Sequence, residues 1–291
     1  MTASSNYSAD DSSTSSKSSA VVLVAGATGG VGQLVVADLV RAGYEHIRVL
    51  TRSADKAQKM FGDRVEVAIG DIREPSTLAA ATEDVTYLIC ATGTTALPTD
   101  RWDFKVPVGD NPLTQAATWA RIYLDANFRD TNARNTPEAV DAIGVSHLVQ
   151  AAPKSLRRFV FVSSCGVTRK DEFPYNLLNA FGVLDAKSKG ETAILRAGLP
   201  YTILRPGQLT DGPYTSRDFN SLVQASTDGK LGVVVATGDT LNGQTSRIDV
   251  AAACVACLES AAAENKAFEL VSKGHRPAEI AWERLFAEAV S

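Results

Sequence analysis

Three glycines near the start of the chain have the spacing of a phosphate-binding turn. Gly26, Gly29 and Gly32 follow the apolar run Val21–Ala25, and helical periodicity begins near Gly30. Gly26 allows a tight strand-to-helix turn, Gly29 lets a pyrophosphate approach the backbone, and Gly32 lets helix and strand pack closely. The helix N-terminus adds free N–H groups and a positive dipole end. We therefore predict a dinucleotide site formed by Gly26, Thr28, Gly29, Gly30, Val31 and Gly32.

The end of the second apolar run indicates which dinucleotide this is. An NAD site has Asp or Glu there, where it accepts a hydrogen bond from the ribose 2′-hydroxyl. This chain has Arg52, Ser53 and Lys56 instead. Arg52 can hold a 2′-phosphate through charge-assisted hydrogen bonds, with Ser53 and Lys56 as secondary donors. The alternative is a solvated basic start of a helix. We expect NADP(H) as the cofactor.

Composition limits the other partners. The chain has 291 residues, is 45% hydrophobic and 21% charged, and carries a formal net charge of −4. It has no basic run that would attract nucleic acid or an anionic membrane. No apolar stretch approaches the roughly 18 to 20 residues that cross a bilayer. We therefore expect a small-molecule partner, no nucleic acid and no membrane span.

Cysteine and histidine usage predicts neither disulfides nor a metal. Four cysteines without a secretory apolar segment indicate reduced thiols and a cytoplasmic protein. Cys254 and Cys257 form a CxxC, but they stand in an Ala-rich helical pattern and are interpreted as two small buried side chains. No metal-ligand spacing occurs among the three histidines, which are His46, His147 and His275.

Residues 1–19 are dominated by serine and contain almost nothing that could pack in a core. We predict that this tail is disordered. A plastid transit peptide is also Ser-rich, although it normally carries Arg and avoids acids. The plastid stroma is therefore the alternative to the cytoplasm.

The remaining chain alternates β-branched runs with helical patterns. The runs are residues 21–25, 47–51, 65–69, 86–91, 158–163 and 201–204. This alternation predicts an α/β fold, a Rossmann-type doubly wound parallel sheet over residues 20–210. Residues 211–291 have shorter units and form the C-terminal substrate-side region of the same domain. Asp249 is expected to cap a helix there.

One connection, residues 92–134, is unusually long and contains several prolines. We interpret it as a loop over the nicotinamide end of the site, because it leaves the carboxyl edge of the fourth strand. It also offers possible anchors for a protein partner. These anchors are the aromatic residues Trp102, Phe104, Trp119 and Phe128.

Beyond these features, the sequence resembles the short-chain dehydrogenase/reductase superfamily, in particular its atypical, NmrA-like branch. The resemblance rests on the glycine turn and on four further segments, which are residues 70–72 and 91–93 and the strand ends at residues 161–164 and 204–207. Residues 208–215 are similar to NADPH-dependent flavin and biliverdin reductases. The resemblance implies that Asp71 and Ile72 approach the adenine, that Ala91, Thr92 and Gly93 line the cofactor, and that Pro206 lies near the nicotinamide.

The sequence departs from that family at its catalytic pair. Relatives use Tyr-x-x-x-Lys, in which the lysine lowers the tyrosine pKa. Here no tyrosine has Lys four residues later; Lys187 fills the lysine position and Val183 the tyrosine position. The resemblance implies a ribose contact for Lys187 and places Ser164 at the catalytic serine. Ser164 could equally cap the strand end.

Two functions are compatible with the missing phenol. The first is an NADPH-dependent oxidoreductase that reduces a small planar acceptor such as a flavin, a quinone or a pigment-like molecule, because these acceptors stabilise the incoming charge themselves. The second is a non-catalytic NADP(H)-sensing or assembly protein that binds a partner through 92–134. A dehydratase or epimerase is disfavoured, since those reactions need the phenol.

Overall fold

The computed structural model describes residues 17–99, 102–105, 111–210 and 230–290. Its ten strands are β1 (Val21–Ala25), β2 (His46–Thr51), β3 (Glu66–Ile69), β4 (Tyr87–Cys90), β5 (Arg158–Val162), β6 (Tyr201–Pro206), β7 (Gln208–Thr210), β8 (Leu231–Ala236), β9 (Gln244–Ser246) and β10 (Lys266–His275). Eight of them form one sheet in the order β3-β2-β1-β4-β5-β6-β10-β8. All neighbours in this sheet are parallel except β10 and β8. β7 and β9 pair separately.

Helices cover both faces of this sheet. They are α1 (Gly32–Arg41), α2 (Ala54–Phe61), α3 (Ala79–Thr82), α4 (Pro112–Leu124), α5 (Ala126–Asn132), α6 (Val145–Ala151), α7 (Tyr175–Leu178), α8 (Val183–Arg196), α9 (Arg247–Ala256) and α10 (Trp282–Glu288). A π-helical segment, Glu138–Gly144, continues directly into α6.

The central strands are apolar throughout because both of their faces are buried. In β1, Val22 and Val24 join a core that contains α1 and α9. Leu23 and Ala25 point the other way, into a core that contains α6 and α8. This alternation is the geometry of a strand covered by helices on both sides. The predicted Rossmann-type doubly wound sheet is confirmed.

The described part of the C-terminal region joins the same sheet. β10 pairs with β6 and β8 pairs with β10, so 230–290 extends the sheet that 20–210 begins. α9 packs on α1 in a shared core. Its N-cap is Ser246, whose side chain accepts from Ile248 N. The prediction that Asp249 caps this helix is therefore wrong; Asp249 lies in the first turn and pairs with Arg276.

Segment 92–134 is more regular than its prolines indicated. Pro112 begins α4, where the missing N–H of proline costs no helical hydrogen bond. Asn111 and Thr114 form a capping box at this helix end. The expectation that short elements partly order this long connection is met by α4 and α5, although Pro at the first helical position looks in sequence like a helix breaker.

The predicted tail falls mostly outside the described residues, which begin at 17. Residues 17–19 form a helical turn. Lys17 Nζ lies 4.0 Å from a Glu259 carboxylate oxygen and 5.8 Å from the centre of the Tyr44 ring. Residues 17–19, the last three of the predicted tail, are therefore ordered. Within the ranges given above, no helix is long and apolar enough to cross a membrane.

Candidate functional site

The glycine turn joins β1 to α1, and backbone atoms pack closely against it at Gly26 and at Gly32. Gly26 has φ +81°, and a Cβ there would lie 2.7 Å from Thr92 N. A Cβ on Gly32 would lie 2.1 Å from Gly26 O. Gly29 N donates to Gly26 O at 3.0 Å, which tightens the turn. Glycine is therefore required at both ends of the turn by close backbone packing.

The N-terminus of α1 lies at this turn. Val31 is its N-cap and provides no side-chain hydrogen bond, and Gln33 N in the first turn donates to Gly29 O at 3.1 Å. The positive end of the helix dipole favours an anion at this position. Thr28 and Gly30 are half-buried in the turn, and Gly29 is exposed. The arrangement fits a dinucleotide pyrophosphate.

The other predicted cofactor residues follow the ends of neighbouring strands. β1, β4, β5 and β6 are adjacent in the sheet, so their carboxyl ends form one edge. Ala91 N donates to Ala25 O at 2.9 Å, which holds 91–93 beside the glycine turn. Cys165 N donates to Pro206 O at 2.9 Å, which places Ser164 and Pro206 on neighbouring strand ends. Ligands of doubly wound sheets bind at such an edge.

The region expected to hold the 2′-phosphate lies at the ends of β2 and β3. Arg52 and Lys56 are exposed, and the charge of Arg52 acts on Asp71. Ser53 caps α2, since its hydroxyl accepts from Lys56 N at 3.3 Å. Two exposed cations therefore flank a helix N-terminus, an arrangement that suits a phosphate.

Asp71 lies beside this basic region. Gly70 N donates to Thr51 O at 2.9 Å, so the loop after β3 is held against β2. Burial raises the pKa of Asp71, but hydrogen bonds from Arg73 and the charges of Arg73 and Arg52 outweigh it and hold the pKa below its usual range. Asp71 is consequently an anion. Ile72 is buried and contacts the backbone of the π-helical segment at Gly144.

The Lys187 side chain is buried beneath the edge that the carboxyl ends of the strands form. Its Nζ lies 2.8 Å from Asp141 Oδ1, 2.8 Å from Val162 O and 3.2 Å from Thr92 O. The contact with Asp141 Oδ1 is an ion pair without a hydrogen bond, so the recorded hydrogen bonds use two of the three N–H donors of the ammonium group. The predicted ribose contact of Lys187 stays a prediction.

Asp141 is the partner that sequence reasoning missed. Its carboxylate is fully buried, and Oδ2 accepts from Thr94 N at 3.1 Å and from Thr94 Oγ1 at 2.8 Å. The residue therefore links Lys187 to the loop after β4. Its only sequence signal was an acid among the apolar positions of a helical pattern. The π-helical segment carries it toward the strand ends.

The two serines after β5 have different partners. Ser164 is half-buried, and its hydroxyl donates to Cys165 O at 3.0 Å. Ser163 donates to Glu191 Oε1 at 2.5 Å. Glu191 also accepts two hydrogen bonds from Arg205, at 3.0 and 2.6 Å. Ser163 is thus structural, and both interpretations of Ser164 stay predictions.

A phenol does lie near this edge, but it is not activated. Arg169 donates to the Tyr175 hydroxyl at 3.2 Å and to Leu241 O at 2.8 Å. Burial raises the pKa of Tyr175, although Arg169 acts in the opposite direction. A general acid works best with a pKa near the working pH. Tyr175 is therefore a structural contact to the loop after β8.

A buried polar cluster holds that loop in place. Asp239 accepts from Gly166 N at 2.6 Å and from Thr168 N at 2.7 Å, and Glu269 accepts from Leu241 N. Cys165 donates to Arg205 O at 3.0 Å, and burial raises the pKa of its thiol to about 12. The thiol is protonated at neutral pH, and the cluster is a hydrogen-bonded support for this loop.

The aromatic residues of 92–134 pack against one another. Trp102 is 3% exposed, stacks on Phe104 with 6.2 Å between ring centroids, and donates from Nε1 to Thr95 Oγ1. Phe104 contacts Trp119 edge to face. Arg121 covers the ring of Phe128 at 4.0 Å. The interpretation of Trp102 as a surface anchor is wrong, because the ring is needed to pack this segment.

Comparison with known proteins identifies the same class. The family model described as NAD(P)H-binding matches residues 26–261. The chain is 33% identical over 262 residues to sanguinarine reductase of Eschscholzia californica, covering 87% of this chain and 89% of that protein. It is 32% identical over 254 residues to an uncharacterized chloroplastic protein of Arabidopsis thaliana, covering 87% of this chain and 69% of that protein.

Solved structures share the fold. ChuY, an anaerobilin reductase from Escherichia coli O157:H7, superposes with a TM-score of 0.60 at 22% identity, covering 88% of this chain and 99% of ChuY. A short-chain dehydrogenase/reductase of Veillonella parvula in complex with NADP gives 0.54 at 16% identity, covering 89% of this chain and 99% of that chain. The chain belongs to the family described as NAD(P)H-binding. Its cofactor is a nicotinamide dinucleotide, NAD(P)H.

Proposed function

We propose that this protein is an NADPH-dependent oxidoreductase that transfers hydride to a small planar acceptor, such as a flavin, a quinone or a pigment-like molecule. One observation carries the proposal. Lys187, at the lysine position of the family, forms an ion pair with Asp141 and hydrogen bonds to Val162 O and Thr92 O, and Val183 stands in the tyrosine position. Among the residues that the structure describes, no phenol is paired with Lys187 to assist a carbonyl reduction.

The acceptor class follows from the chemistry of the proton. The cofactor supplies a hydride, and the chain binds and orients the two reactants at the carboxyl edge of the sheet. An aliphatic ketone needs a proton in the transition state, because its alkoxide is too basic to form at pH 7. A quinone or flavin spreads the added charge over its rings and takes its proton from water. Positioning of the acceptor beside the nicotinamide is then sufficient for hydride transfer.

Within this proposal the cofactor contacts are those predicted from the sequence, except that of Lys187. The glycine turn and the N-terminus of α1 hold the pyrophosphate, and Arg52, Ser53 and Lys56 hold the 2′-phosphate. The adenine lies near Asp71 and Ile72. Lys187 acts as a positioning residue for Thr92 and Gly93, which line the nicotinamide half, and Ser164 and Pro206 border the acceptor. The names of two similar proteins, sanguinarine reductase and anaerobilin reductase, support a reductase of conjugated molecules.

A second candidate is an NADP(H)-sensing or assembly protein of the NmrA-like type. It is favoured by exposed apolar side chains on α4, where Leu113 is 84% and Leu124 is 86% exposed. A partner that contacts 92–134 would use these residues in place of the buried tryptophan. The name of a chloroplastic relative favours the plastid stroma over the cytoplasm as the compartment.

Titration of the full-length protein with NADPH, followed by a screen of flavin, quinone and carbonyl acceptors, separates the two candidates. Turnover with a planar acceptor supports the oxidoreductase. Tight NADPH binding with no turnover on any acceptor supports the sensing or assembly protein. A matched Gly32→Val variant, which cannot form the turn, controls for acceptor reduction that does not use this site.

A further inference from the structure

A groove runs between two helical walls on the face of the sheet opposite α1 and α9. One wall is the π-helical segment with α6, and the other is α8. The two walls pack closely, since a Cβ on Gly190 in α8 would lie 2.4 Å from Asp141 O. The groove has a volume of about 590 Å³. Small-molecule sites have volumes of roughly 300 to 1,000 Å³, so this groove can hold a small ligand.

The middle of the groove is lined mostly by small side chains. Ala142 and Ser146, one helical turn apart, line one wall, and Ala193 and Ala197 line the other. At the rim, the Ile143 side chain is 46% exposed. Short side chains leave space between the two helix backbones. An apolar ring or chain can therefore lie along the groove.

The two ends of the groove differ in charge. At one end, Lys189 Nζ lies 2.8 Å from Glu138 Oε2, so these two charges are paired. At the other end, Lys154 and Arg196 line the groove and are exposed. Neither of them forms an ion pair or a hydrogen bond with a residue in the part of the chain that the structure describes. The unpaired positive charge is thus confined to one end.

Lys154 and Arg196 come to the same end because the loops after α6 and α8 run side by side. Phe159 N donates to Pro200 O at 2.8 Å, and β5 and β6 pair in parallel beyond this bond. Lys154 stands shortly before β5, and Arg196 stands shortly before β6. This end therefore lies at the amino edge of the sheet. The candidate cofactor site is at the opposite, carboxyl edge.

The two cations exceed the opposing charge of the helix ends. Lys154 follows the end of α6, and Arg196 is in the last turn of α8. The C-terminus of a helix carries about half a negative charge. Two full positive charges beside two such helix ends leave this end of the groove positive. An anionic group is favoured there, next to the apolar middle.

We propose that the groove binds a small amphipathic anion. Its apolar body lies along Ala142 and Ala193, and its carboxylate or sulfonate lies between Lys154 and Arg196. This site is separate from the cofactor edge and is independent of the acceptor proposed above.

The test uses two dyes that share an apolar body. Anilinonaphthalene sulfonate carries an anionic group, and phenylnaphthylamine is its neutral analogue. Both are titrated by fluorescence into the full-length protein saturated with NADP⁺, which keeps the dyes out of the cofactor site. Lys154→Glu with Arg196→Glu should raise the Kd of the sulfonate by about tenfold or more and leave that of the neutral dye within about twofold. Ala193→Trp, which fills the groove, should weaken both dyes by about tenfold.

Lys59→Glu with Arg284→Glu is the matched control, because both residues are exposed and lie on α2 and α10, which pack on the other face of the sheet. It should change neither constant. If Ala193→Trp does not fold, Thr192→Trp replaces it.

Four results would overturn the proposal. The first is that the unmodified protein does not bind the sulfonate. The second is that Lys154→Glu with Arg196→Glu leaves the sulfonate constant unchanged or weakens both dyes equally. The third is that both dyes still bind after the groove is filled, since they then bind elsewhere. The fourth is a dimer in sedimentation that Ala193→Trp converts to a monomer, which would assign the groove to a second copy of the chain.

Discussion

Lys187 and Asp141 form an ion pair inside the protein, with 2.8 Å between Nζ and Oδ1 and with both side chains less than a tenth exposed. The pair joins α8 to the π-helical segment, and each partner also bonds the loop after β4, Lys187 at Thr92 and Asp141 at Thr94. It therefore fixes the loop that lines the nicotinamide half of the proposed site.

The first prediction is that Asp141→Ala lowers the free energy of unfolding by about 3 to 5 kcal/mol, because it leaves the charge of Lys187 buried without its partner. Urea unfolding measures this loss. The double variant Asp141→Leu with Lys187→Met removes both charges and should recover most of the stability. A double variant as unstable as Asp141→Ala alone would show that the ion pair is not the cause.

The second prediction concerns cofactor selectivity at the end of β2. Arg52→Ala should reduce the preference for NADPH over NADH by about ten- to a hundredfold, since a charge-assisted hydrogen bond contributes roughly 1.5 to 3 kcal/mol. Fluorescence titration with both cofactors measures the ratio. Lys59→Ala, an exposed cation in the last turn of α2, should leave it unchanged. Equal dissociation constants of NADPH and NADH in the unmodified protein would contradict the assignment of Arg52 to the 2′-phosphate.

The third prediction is a pH dependence of stability that arises at Asp38. Burial raises the pKa of Asp38 from 3.8 to about 6, Arg41 opposes this effect, and Asp249 adds to it. The folded state thus binds this proton more tightly than the unfolded state. Ionisation opposes folding, so this contribution to stability is present below pH 3.8 and is lost as the pH rises through 6.

Asp38→Asn should therefore be more stable than the unmodified protein at pH 7, by about 1 to 3 kcal/mol, and the difference should shrink to near zero at about pH 4. Urea unfolding at both pH values measures it. A variant less stable at pH 7 than the unmodified protein would mean that the pairing with Arg41 outweighs the burial of the carboxylate.

The fourth prediction is that no cysteine reacts quickly in the native protein. All four thiols are free and buried, which confirms the interpretation of Cys254 and Cys257 as small buried side chains. Burial raises the pKa of Cys257 to about 12 and that of Cys254 well above its usual value. A thiol reagent at mildly alkaline pH should titrate all four only after unfolding. One rapidly modified cysteine in the folded protein would contradict this burial.

The sequence predicted those features that depend on local spacing. The glycine turn, the two-sided apolar strands and the doubly wound, mostly parallel sheet follow from period and from turn chemistry. The 2′-phosphate contact at the basic end of β2 could be predicted for the same reason, because this strand end follows the glycine turn at a fixed distance in sequence.

Contacts between distant segments were not predictable in this way. Asp141 with Lys187, Glu191 with Arg205 and Arg247 beside Gly30 each join residues that only tertiary packing brings together. Pro112 shows a local ambiguity, since proline both interrupts helices and begins them. The burial of Trp102 was not predictable, because sequence alone does not show which neighbours cover a ring.

The most direct test of the proposed function compares acceptors in the unmodified protein. The values of kcat/KM for NADPH oxidation are measured with a quinone and with an aliphatic ketone of similar size, and again after Ser164→Ala. Positioned acids contribute roughly 10²- to 10⁴-fold, so a site that lacks one should favour the quinone by at least about a hundredfold. Ser164→Ala should change the quinone rate only modestly. Efficient ketone reduction that Ser164→Ala abolishes would contradict the proposed function and identify Ser164 as part of a proton-donating site.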